Sequence, residues 1–359
     1  MAQVSPLDVV IFAPLAPVFG LLLFWFIQLL FIESQKQLLG KLGKDHEPLI
    51  RFTNFIGIFF QTMCHALGYT VTRSGISRFY LSVHYGHVDP KKEKSGLFEW
   101  VSNGFLFVGP FFIPPLLLLV CLYFLIPDGI VFTTNVTYSF SENLIVFGSN
   151  LYVFSLHFFS FLFSIDLLHP AHLGFFLLLI LLGLGIRPSY IEKKSFKKVD
   201  IFYDLRNIKD HLLHHPVYVI LFFLFSYCFS YVSLLFDGNW YVSLFSLFGW
   251  VSIIAIVALV IAHGLLLLVR ISDELPETVR WIPFLVLIIS YVLLRVLFYI
   301  LPIPYITSVS LVGMLLITIG ITIFLFNRYT NKFKTKKKMK SKKTRQERMD
   351  DGPRRLVKP

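Results

Sequence analysis

About eight times along this chain, apolar residues run on without polar alternation for roughly twenty positions or more, the length needed to cross ~30 Å of hydrocarbon. The runs extend from Val9 to Ile32, Phe52 to Val71, Leu97 to Ile126, Leu144 to Leu168, Val217 to Phe236, Val242 to Val269, Trp281 to Leu301 and Tyr305 to Phe326. With 56% hydrophobic residues, 40 of them Phe, and only 15% charged, one soluble core cannot hide this much apolar surface. Backbone amides left unpaired in lipid cost several kcal/mol each, so continuous runs of this kind predict spanning helices and not barrel strands. The expected fold is an all-α polytopic membrane protein with about eight transmembrane helices. A ninth segment, Leu173 to Ile186, follows Pro170 and is too short to span, which predicts one short re-entrant helix. The first run has no Lys or Arg before it, as expected of a retained helix and not of a cleaved signal peptide.

Positive charge sets the expected orientation, because cytoplasmic loops keep Lys and Arg. The run Lys332, Lys334, Lys336, Lys337, Lys338, Lys340, Lys342 and Lys343 puts the C-terminal tail in the cytoplasm. Counting back, Arg270 to Arg280, the loop Arg187 to His215 and the basic segment Arg73 to Lys94 are expected inside. Asp237 to Trp240 and the Lys- and Arg-free loop Pro127 to Glu142 are expected outside. The same count exports the weakly basic loop Glu33 to Glu47, unless the second helix re-enters and leaves that loop inside. The outer loop carries the glycosylation-type triplet Asn135-Val136-Thr137. The tail from Lys332 is too polar to form a core and is expected to be an unstructured basic arm, with anionic lipid, RNA or a ribosomal surface as the partner of Lys332 to Lys343.

Few ionisable groups fall at membrane depth, where each costs roughly 2.5 to 3.5 kcal/mol and therefore faces a cavity or a partner. They include His65, His157, Asp166, His169, His172, His263 and Arg295. The spacing of Asp166, His169 and His172 keeps neighbouring members on one helical face, although Pro170 can bend the chain there. A carboxylate and two imidazoles, joined by His65 from another helix, are a ligand set that zinc accepts. His211-Leu212-Leu213-His214-His215 has the H-x-x-H-H spacing of histidine boxes in membrane di-iron enzymes, with His84/His87 and His169/His172 as further pairs. Cys64, Cys121 and Cys228 lie inside apolar runs with no C-x-x-C spacing and read as small core residues.

The stretch Gln61-Thr62-Met63-Cys64-His65-Ala66-Leu67-Gly68-Tyr69-Thr70-Val71-Thr72-Arg73 resembles the site-2 protease family of intramembrane zinc metalloproteases, in which H-E-x-x-H closes the second core helix. The likeness continues through Ile76 to Val88, which alternates as the membrane-associated strands of that family do, with Gly86 to Asp89 suited to the turn. It extends to Leu97 to Pro115, which resembles the next helix. His65 matches the first zinc-binding histidine, while Ala66 stands where the family has its glutamate and Tyr69 where it has the second histidine. The glutamate takes a proton from zinc-bound water and the histidine pair holds the metal, so the resemblance implies the fold without peptide hydrolysis. Asp166 is the loose counterpart of the family's third ligand.

The expected organisation is a site-2-protease-like core over 1–186, a basic cytoplasmic loop over 187–216, a four-helix membrane region over 217–328 and a basic tail over 329–359. The expected function is the binding or handling of membrane segments of client proteins within the lipid bilayer. Two alternatives stand beside it. One is a metal-dependent membrane enzyme, of peptidase or di-iron type, using zinc or iron at a remodelled site. The other is a small-molecule transporter, suggested by the broken segment Pro170 to Ile186 and by Arg295 at depth.

Overall fold

The computed structural model describes residues 5–42, 46–126, 132, 138–186, 190–191, 197–198, 201–301 and 303–350. The Asn135 triplet and Lys193 and Lys194 of the basic loop lie outside the described residues. The elements are almost entirely helical: α1 Leu15–Leu42, α2 Glu47–Val71, α3 Leu97–Phe107, α4 Gly109–Leu125, α5 Phe140–Ser164 and α6 Pro170–Gly185, then α7 Ile201–His214, α8 Pro216–Leu235, α9 Trp240–Asp273, α10 Ile282–Ile300 and α11 Ile306–Asp350. Between α2 and α3, β1 Ile76–Leu81 pairs antiparallel with β2 Gly86–Pro90, and two-residue strands β3 Tyr190–Ile191 and β4 Lys197–Lys198 pair further on. The chain is all-α and membrane-like, with a small strand element after the second helix as expected.

Six helices are long and apolar enough to cross a membrane: α1, α5, α8, α9, α10 and α11 as far as Tyr329. The pair α3 and α4, bent by 68° at Val108, makes a seventh candidate when counted as one span. The expected span Phe52 to Val71 is helical but is not among these, because Thr53, Asn54, Gln61, Thr62 and His65 interrupt its apolar residues. Helix α11 continues to Asp350, through a stretch made largely of Lys, Arg, Gln, Glu and Met, good helix formers, with no Pro or Gly before Gly352 to stop it.

Two compact units divide the chain, Met1–Gly264 and Leu265–Pro359. Within the second, α10 packs against α11. The first is organised around α1, α5 and the first part of α9, which begin at the same end and run side by side. At that end the Asn143 amide donates to the Ala13 carbonyl (3.0 Å), the Tyr241 hydroxyl to the Pro14 carbonyl (2.7 Å) and the Phe140 N–H to Asp8 Oδ1 (3.2 Å). One to two turns further along, the Asn150 amide donates to Ser246 Oγ (3.1 Å), and Trp250 Nε1 donates to the Asn150 carbonyl (3.0 Å). Trp250, 1% exposed, stacks on Phe154 at 5.0 Å and on Phe132 at 4.3 Å.

The same end collects the last turns of α8, where Tyr227 donates to the Ile11 carbonyl (2.7 Å) and Tyr231 to that of Val10. Residues 8–14 therefore share a side with the beginnings of α5 and α9, and the far end of α1 lies on the opposite side. The expected loop Glu33 to Glu47 is mostly the last turns of α1, with Gln35, Lys36, Leu38, Leu39 and Leu42 buried. Polar Gln35 is hidden there because its amide donates to the Gly183 carbonyl of α6 (2.9 Å). Gly183 in turn lets α6 lie directly on α9: a Cβ at this position would stand 2.0 Å from the Ala258 carbonyl oxygen.

Candidate functional site

His65 lies in the last third of α2, and the β1–β2 hairpin folds back along that helix. Two contacts hold it there. The Asn54 amide donates to the Val83 carbonyl (2.8 Å), and Gly86 sits so close to α2 that an added Cβ would meet Thr62 Oγ1 at 1.8 Å. That close approach, not a turn, is what Gly86 provides. The expected turn at Gly86 to Asp89 is instead at Ser82 to Tyr85, where the Ser82 N–H donates to the Tyr85 carbonyl (3.0 Å), and Gly86 to Asp89 belong to β2 opposite Leu81 to Arg78.

Between α2 and the hairpin is a small cavity of about 60 Å³ lined by Ile58, Gln61, Thr62, His65, His84 and Tyr85, among others. His65 Nε2 is buried here without a hydrogen-bond partner. The Tyr69 ring lies against the imidazole, centroids 4.4 Å apart and tilted by 35°. On the hairpin, His87 Nε2 is 2.6 Å from Asp89 Oδ1, and Tyr80 stacks on Tyr85 at 4.9 Å. The hydrogen bond between those two phenols, more than burial, holds the Tyr85 hydroxyl above the usual tyrosine range.

The other expected ligands gather elsewhere. The Asp166 N–H donates to His172 Nδ1 (3.1 Å), the Leu168 N–H to Asp166 Oδ1 (3.1 Å), and the rings of His169 and His172 are 4.8 Å apart. These are the bonds of a tight connection: Asp166 closes the turn out of α5, and His169 precedes Pro170 at the first position of α6. Asp166, His169 and His172 are thus brought together, while His65 lines a different cavity. Among the described residues no three His, Cys, Asp or Glu side chains are grouped to hold a metal ion. With Ala66 and Tyr69 beside His65, the residues present do not make the zinc site that the resemblance implies.

The H-x-x-H-H cluster forms a third locale. His211 stacks on Trp100 of α3 at 5.1 Å and 12°, with Phe107 at 5.5 Å; His215 meets Tyr218 at 5.3 Å. Burial first, and then the neighbouring His215, hold the His211 imidazole below the usual histidine range, only partly offset by a backbone hydrogen bond at Trp100. Glu99, Trp100 and Asn103 complete this locale. Nothing in the spacing of α3 marked them, since their relation to His211 exists only across the α3–α7 contact.

The chain matches no protein-family model, no curated protein and no solved structure with which it was compared.

Proposed function

We propose that this chain is a multi-pass membrane protein whose N-terminal core is built like that of a site-2 protease, has no peptide hydrolysis, and holds membrane segments of other proteins. The observation that carries this reading is the pairing of His65 with Tyr69, at 4.4 Å, beneath a strand hairpin packed along the same helix. In a zinc peptidase the residue four positions on must offer a second ligand on the same helical face. Here that place is filled by a phenol ring, and Ala66, 7% exposed, has no group to take a proton from water. The hairpin supports the binding half of the proposal: Ile76, Phe79 and Tyr80 of β1 are exposed apolar side chains on a strand.

The topology that fits this reading has seven crossings, by α1, the bent pair α3–α4, α5, α8, α9, α10 and α11, with α2 and α6 entering the membrane without spanning it. An odd number puts residues 8–14 and the basic tail on opposite sides; the Lys run favours the tail inside, and residues 8–14 then share the outer side with the uncharged loop before α5. The run Lys332 to Lys343 then faces the anionic inner leaflet.

The test is metal analysis and peptide binding on protein purified into nanodiscs. The expected result is substoichiometric zinc and iron, unchanged by His65→Ala. A fluorescent transmembrane peptide should bind and remain intact, and bind more weakly to the Phe79→Lys/Tyr80→Lys variant. About one metal per chain that disappears in His65→Ala, or cleavage of the peptide, overturns the reading.

A further inference from the structure

A cavity of about 270 Å³ opens between α3, α7 and the start of α8, lined by Glu99, Trp100, Asn103, Phe107, Asn207, Asp210 and the three histidines of the H-x-x-H-H cluster. It lies wholly within the first unit, at the junction where the amphipathic α7 gives way to the apolar α8, the depth of a lipid headgroup if α8 spans. Its size falls just short of the ~300 Å³ at which drug-sized pockets begin, which suits a headgroup and not a large cofactor.

The chemistry of its walls selects the sign of the charge inside. Two carboxylates, Glu99 and Asp210, line it, and no Lys or Arg does, although Arg206 and Lys209 are on the same helix. An anion would meet two like charges here and no Lys or Arg to offset them. A metal ion is disfavoured by geometry, since no three ligating side chains are grouped among the described residues. What remains on the walls is aromatic: the indole of Trp100 and the ring of Phe107. Aromatic faces attract cations held within ~6 Å of the ring centre, most strongly those too bulky to be tightly hydrated. The two amides, Asn103 and Asn207, add acceptors for a cation's polarised hydrogens.

The cavity is also built and not incidental. Trp100 is fixed on one face by His211 (5.1 Å, 12°) and on its flank by Tyr218 (6.0 Å), and Tyr218 is fixed in turn by His215 (5.3 Å). An indole held on one face and one flank is oriented before any ligand arrives, so little side-chain freedom is lost on binding. The His211 imidazole stays uncharged near neutral pH for the reason given above, and so does not repel a cation.

We infer that this cavity is a binding site for an organic ammonium group, of the kind carried by a choline headgroup or by a free quaternary amine. The site does not depend on the proposed handling of membrane segments, and its failure would leave that reading untouched.

The experiment is calorimetric titration of choline into the full-length protein in phosphatidylglycerol nanodiscs. Choline is expected to bind, and its neutral isostere, in which carbon replaces the quaternary nitrogen, is expected to bind about tenfold more weakly or not at all. Asp210→Asn should weaken choline by about tenfold; because Asp210 is exposed, the substitution leaves packing in place. Trp100→Leu should abolish binding, with retained helicity by circular dichroism showing that the fold survives. Nanodiscs of phosphatidylcholine separate the sources: lowered apparent affinity for free choline identifies the lipid headgroup as a competing occupant, and unchanged affinity identifies a free amine. Equal binding of choline and its neutral isostere, no heat from choline at all, or indifference to Asp210→Asn overturns the assignment.

Discussion

The α1–α5–α9 cluster and the α2–hairpin–α3 region belong to the same compact unit but are made of different materials. In the first, the contacts are between buried apolar and small residues: Trp250, Ile254, Ala255, Ala258 and Leu259 are all 1% exposed or less, and the buried Asn150 and Ser246 side chains bond to each other across α5 and α9. In the second, polar and aromatic side chains surround small cavities, the strand β1 is exposed along most of its length, and imidazole and indole nitrogens lie buried without partners. Dense packing favours stability, whereas looser packing around polar side chains leaves groups free for a ligand, because a group that has spent its hydrogen bonds on the fold has none left to offer.

This contrast can be broken most directly at Trp250. Truncation to alanine removes two aromatic stacks and a buried hydrogen bond, so Trp250→Ala should cost about 3 to 5 kcal/mol, measured as loss of the folded fraction in a detergent-based unfolding titration. Next comes Gly183→Ala. Its methyl group would meet the Ala258 backbone, which cannot rotate away as a side chain can, and about 1 to 3 kcal/mol is expected in the same titration. In the second region the effects should be smaller and local. Asn54→Ala removes the amide bond to Val83, worth about 1 kcal/mol. It should speed hydrogen exchange in the hairpin while leaving α5 and α9 protected.

The smallest expected effect is on pH dependence. With its folded-state pKa held below the unfolded value of ~6.5, His211 resists protonation in the folded state, so its contribution is complete above that value and declines as pH falls below it. Glu99, Asp210, His214 and His215 line the same cavity. The melting temperature of the protein should therefore drop between about pH 7.5 and about pH 5, and the drop should be shallower in His211→Gln. Partial exposure to solvent keeps the difference small. A Trp250→Ala loss no larger than the Asn54→Ala loss would erase the contrast between the two regions.

Much of the first region was legible beforehand, because an uninterrupted apolar run of twenty residues has few alternatives to a helix. The runs that became α5 and α9 needed no partner to be recognised, and neither did those of α8 and α10 outside that region. Boundaries were harder wherever a polar residue is buried by a contact distant in sequence. The run ending at Ile32 gave no sign that α1 continues to Leu42, since Gln35 is accommodated by a carbonyl of α6 far along the chain. The strands over Ile76 to Val88 are implied by the resemblance, and the structure has a hairpin there, but its turn lies four residues before Gly86 to Asp89, since Gly86 reads as a turn glycine until Thr62 is seen beside it.

The site shows the same limit more sharply. From spacing, Asp166, His169 and His172 were expected on one face, and the structure does gather them, as a turn and cap between α5 and α6. No spacing could say which side chain from another helix would join them. His65 faces His84 and Tyr69 instead, and His211 faces Trp100.

What could be read from residue order alone was the solvent this chain is made for and the secondary structure that solvent enforces, since hydrocarbon leaves a backbone no option but to satisfy its own hydrogen bonds. Which polar groups meet in the interior came only with the packed helices. Encounters between α2 and the hairpin, or between α3 and α7, depend on the rotation and depth of each helix, and those are set by many small contacts summed over the whole unit and not by any motif.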